Sequence, residues 1–117
     1  MNLNNPQTAE KMEFVEKRLA FYTESIKGYL EIKSLHYQLV NSITEKINLY
    51  LTSVSYCKKS GTKQQLQTLK ENLNWYKTQL KAEKSSLKWC NERIKHNKES
   101  LKYWGTILKE LTKQTTV

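Results

Sequence analysis

The sequence predicts an all-α protein: a long antiparallel two-helix hairpin of coiled-coil type that pairs with a second copy into a four-helix bundle. Two seven-residue combs and a single turn carry that prediction. In the second half Leu66, Leu73, Leu80, Leu87, Ile94, Leu101 and Leu108 recur without a miss, and these define positions a. Three residues after each lies a d position, held by Leu69, Tyr76, Glu83, Cys90, Asn97, Trp104 and Leu111. The same ruler carried backwards gives a positions Met12, Leu19, Ile26, Lys33, Val40, Ile47 and Val54, with d positions Val15, Tyr22, Tyr29, His36, Ile43, Tyr50 and Cys57. Sustained a/d spacing of this kind marks long helices packed side by side.

The chain of 117 residues is expected to form one helical domain, with a polar tail before Pro6. Asn5 can cap the first helix, and Pro6 suits its first turn, where a missing N–H costs nothing. That helix is predicted over about residues 6–59, with Gly28 lowering propensity locally by about 1 kcal/mol relative to Ala. The turn falls at 60–62. Gly61 can take the left-handed conformation that ends a helix, Lys58 and Lys59 suit the negative end of the helix dipole, and Thr62 with Gln65 matches a capping box. The second helix is predicted over about 63–112, with 113–117 frayed. So short a connection makes the helices antiparallel neighbours. Folding at Gly61 sets Val54 against Leu69, Tyr50 against Leu73 and Ile47 against Tyr76, in rods roughly 70 Å long at about 1.5 Å per residue.

Two helices leave apolar surface over. The c positions of the first helix read Phe14, Phe21, Gly28, Leu35, Ser42, Leu49 and Tyr56, and those of the second include Trp75, Trp89 and Tyr103. Leaving such side chains wet forfeits about 1.5–3 kcal/mol each. Soluble monomers rarely present such a patch. Self-association through Phe14, Phe21, Gly28, Leu35 and Leu49 is the first expectation, with Gly28 as a slot for a neighbour's ring or else a simple kink. The alternatives are a single-chain four-helix bundle, with both helices broken near Gly28/Ser34 and Asn91, and cover by a foreign protein.

The middle of the seam is polar, at Lys33, His36, Glu83 and Asn97. Charges there need partners, so Glu83 is expected to pair with His36 or Lys33 and fix the register. A metal site from His36, Glu83 and Cys90 lacks the tightly spaced Cys/His pairs of structural zinc, so no metal or cofactor is expected. Two His, no Asp and no Gly-rich loop assemble no triad, carboxylate pair or phosphate cradle, and Cys90 reads as a packed thiol. The protein is expected not to be an enzyme.

Charge is the remaining signal. The net +9 is uneven: residues 1–59 carry eight Lys/Arg against six Glu, and 60–117 twelve against five. Positions b and e of the second helix hold Lys70, Lys77, Lys81, Lys84, Lys88, Lys95, Lys98, Lys102 and Lys109. Such a stripe attracts an acidic partner or tracks a phosphate backbone without reading sequence, or serves as a solvated flank. Arg18 and Arg93 are the only arginines, which argues against base-edge readout. The function read from these features is a helical protein–protein interaction module: an adaptor, inhibitor or structural subunit. Trp75, Trp89 and Tyr103 are its expected anchors, with Lys81, Lys88, Lys95 and Lys102 steering a partner that offers an acidic or apolar groove. Sequence-independent nucleic-acid binding is the alternative. The start lacks a secretory pattern, no run suffices for a membrane span, and the two cysteines form no disulfide framework, so a cytoplasmic home is expected.

Overall fold

The computed structural model describes residues 6–115, so Asn5 and its expected cap lie outside the described residues, as do 116 and 117. The described chain is all-helical, with helix α1 at Pro6–Ser60 and helix α2 at Lys63–Thr115. Both run without interruption through Gly28, Ser34 and Asn91, so the architecture is two long helices rather than four broken ones. Serine and threonine, weak helix formers, are accommodated because their hydroxyls donate to the carbonyl four residues back, as Thr44 does to Val40 at 2.7 Å and Thr78 to Asn74 at 3.0 Å.

Two compact units divide the chain: Ile32–Trp89, and the residues up to Glu31 with those from Cys90 onward. In the first unit the chain reverses through Gly61 and Thr62. The Thr62 N–H donates to Gln65 Oε1 at 3.0 Å while the Gln65 N–H donates to Thr62 Oγ1 at 3.1 Å, a reciprocal capping box that satisfies two N–H groups at the start of α2. Gly61 departs from its expected role: no described residue has a positive φ. Its N–H instead donates to the Cys57 carbonyl at 2.8 Å, continuing the helical pattern one residue past α1. Glycine fits here for space, because a Cβ at this position would overlap Cys57 Sγ.

The seam behaves as the combs require. Every a and d position from Met12 to Leu111 is buried or half-buried. In the 32–89 unit Ile47, Val54 and Leu73 form a buried cluster, with Ile43, Tyr50, Leu66, Leu69, Tyr76 and Leu80 packed around it. The Tyr50 and Tyr76 rings meet at 5.3 Å. In the other unit Val15, Cys90 and Ile94 are buried, together with Thr8 and Asn97.

Candidate interaction faces

The polar middle of the seam resolves into one pair within the 32–89 unit. His36 Nδ1–H donates to Glu83 Oε2 at 2.5 Å, with both side chains mostly shielded from water. Lys33, one turn away, is half-buried and forms no ion pair among the described residues. Asn97 is buried in the other unit. Among the described residues no fully buried side-chain nitrogen or oxygen lacks a partner, so the polar positions carry no desolvation debt. No group of three or more His, Cys, Asp or Glu there is placed to hold a metal, and Cys57 and Cys90 are free, buried thiols.

Three exposed aromatics at c positions each lean on the neighbouring d residue. Phe21 rests its ring edge-on against Tyr22, Trp75 against Tyr76 and Tyr103 against Trp104, at 5.3, 5.0 and 5.3 Å. Each is a c residue leaning on the d residue that follows it, so the c columns border the d side of the seam. Grooves in the two units show that the d flanks of α1 and α2 lie beside each other. Near the turn, Ser53, Tyr56 and Cys57 of α1 face Gln65, Thr68 and Leu69 of α2 across an open groove of about 1050 Å³. In the other unit Lys11, Phe14 and Val15 face Trp104, Ile107 and Leu111. Position g lies about 40° from c around a helix, so g residues join the same face.

Within 32–89 that face presents Ile32, Leu35, Leu39, Leu49 and Tyr56 from α1, with Trp75 and Trp89 from α2, all exposed. Trp75 keeps 57% and Trp89 48% of their surface, which is unusual for indoles in a folded domain. Lys46 is the sole charge among its c and g positions. In the other unit Phe21 and Tyr103 are exposed, whereas Phe14 is partly occupied. Its ring meets Trp104 at 5.8 Å, and the Arg18 guanidinium lies 5.3 Å from Phe14 and 5.8 Å from Trp104. Sequence reasoning passed over this cation–π cluster, although Arg18 four residues after Phe14 is its signature. It also passed over the turn groove, which short Ser and Thr side chains open and no spacing announces. Gly28 is half-buried, and a Cβ there would meet nothing within 4 Å.

Within the 32–89 unit the b and e lysines of α2 border the a side of the seam. Lys77, Lys81, Lys84 and Lys88 line a shallow groove with Leu80, an a residue, and Ser85. Lys95 and Lys102 continue the b column along α2 and are exposed. The aromatic and basic residues of α2 thus border different sides of the seam.

Among the described residues no helix is long and apolar enough to cross a membrane. No protein-family model matches the chain, and neither a characterised protein nor a solved structure matches it.

Proposed function

We propose that this chain is a single-domain, non-enzymatic interaction module, an adaptor, inhibitor or structural subunit, with two working faces. The d-flank face, apolar and aromatic, docks a helical surface and supports self-association. The lysine flank draws in an acidic macromolecular partner, and the free thiols suit a cytoplasmic setting. The observation that carries this reading is the exposure of Trp75 and Trp89 beside the exposed leucines of α1. Large aromatics on such a face contribute more to binding than to the fold that displays them. Replacing both tryptophans by alanine tests it: light scattering should show weakened self-association while helix content by circular dichroism stays as in the wild type. Unchanged association across a concentration series counts against the aromatic anchors.

The lysine-lined groove on α2 favours a second reading, sequence-independent nucleic-acid binding. Retention on duplex DNA across a salt series decides it. Binding should weaken linearly in log–log form as salt rises, and absence of retention at low ionic strength removes this reading.

A further inference from the structure

We infer that the c/g face of the 32–89 unit is where a second copy of this chain docks, giving a four-helix assembly in which Trp75 and Trp89 become buried. The inference rests on the proposed docking role of that face and names its occupant. Three observations select a second copy. The first is apolar exposure. Ile32, Leu35, Leu49, Tyr56, Trp75 and Trp89 each leave between 41% and 74% of their surface exposed, an apolar face of the kind that soluble monomers rarely leave wet.

The second is charge. Each chain carries +9, so two copies repel unless they meet on a face nearly free of lysine. With Lys46 its single charge, the c/g face of this unit meets that condition, and the flank of Lys77, Lys81, Lys84 and Lys88 does not. The third is shape. Along α1 the c column alternates Leu35, Ser42, Leu49, and along α2 it alternates Trp75, Ala82, Trp89. Each column therefore offers both knobs and gaps at seven-residue steps, as interdigitating helices require. A two-fold axis uses both columns twice, which makes the face complementary to itself.

Sedimentation equilibrium of the full chain over a concentration series, read alongside acrylamide quenching of tryptophan fluorescence, tests the inference. The average mass should climb from one chain to two, and the tryptophans should become less quenchable in step with it. Ser42 and Ala82 are exposed, so Ser42→Leu and Ala82→Leu fill the gaps without touching the seam. Each should raise the dimer dissociation constant about tenfold to a hundredfold. Helix content should stay as in the wild type. A dimer indifferent to both leucines overturns this docking face and leaves self-association standing. A mass of one chain at every concentration overturns both.

Discussion

His36 and Glu83 meet in a seam whose layers are otherwise mostly apolar, and the pair is shielded enough that losing either member strands the other. Glu83→Ala or His36→Ala should each lower the unfolding free energy in urea by about 1–2 kcal/mol. Replacing both by leucine should recover that loss, because an apolar layer is often as stable as the buried polar pair it replaces. If the double variant is as unstable as the two single losses combined, the pair is not a register device exchangeable for apolar packing. Gly61 makes a second residue-scale case. With no positive φ, its requirement is room beside Cys57 Sγ rather than a left-handed backbone. Gly61→Ala should cost about 1–3 kcal/mol through that overlap. In a Cys57→Ala background most of the cost should vanish. A penalty that persists in full would place the conflict at the Cys57 carbonyl and Gln65 Oε1, which a Cβ there would meet at 3.0 and 3.1 Å.

At the scale of the helices, the start of α2 depends on the Thr62–Gln65 capping box and the continuity of α1 on tolerance of Gly28. Thr62→Ala should destabilise by about 1 kcal/mol. Gly28→Ala should stabilise by roughly 0.5–1 kcal/mol, since a Cβ there meets nothing and alanine is the better helix former. Urea unfolding measures both, and a destabilising Gly28→Ala would show that something occupies the space beside it. These features also explain what the sequence made legible. The a/d combs translate into burial because one geometry sets both period and packing, and the box is legible because its four residues are local. Other features depend on distances that spacing does not encode. Glycine suits a left-handed end and a crowded helical one equally, so Gly61 gave no sign of its conformation. Lys33 and His36 lie one turn apart, so nothing in the spacing chose between them as the partner of Glu83. The split between aromatic and basic flanks was latent in the c against b/e positions. That split becomes evident once ring contacts tie c residues to the d edge and lysines surround Leu80 on the a edge.

For the whole molecule the governing quantity is uncompensated positive charge. Twenty basic residues face eleven acidic ones, and Lys17 with Glu13 and Lys113 with Glu110 pair only as exposed neighbours on one helix. In the middle of α2 lysines neighbour each other: Lys77 with Lys81 and Lys84 with Lys88 at four residues, and Lys81 with Lys84 at three. Each like-charged pair opposes the helix by about 0.2–0.5 kcal/mol at low salt. Screening should relieve this, because the Debye length falls from roughly 30 Å at about 0.01 M to roughly 10 Å at about 0.1 M. The thermal midpoint should therefore rise as sodium chloride is added over that range, with sulfate and phosphate avoided because they act on apolar burial as well. Lys84→Glu should stabilise by about 0.5–1 kcal/mol at low salt, since it turns repulsions with Lys81 and Lys88 into attractions, the one with Lys88 in the favourable Glu-before-Lys order. That advantage should shrink as salt rises, while any binding of a polyanion weakens in the same variant. A midpoint insensitive to salt, with Lys84→Glu neutral throughout, would mean that the lysines are already spread far enough apart to be solvated singly. The α2 flank would then have no field with which to attract a partner.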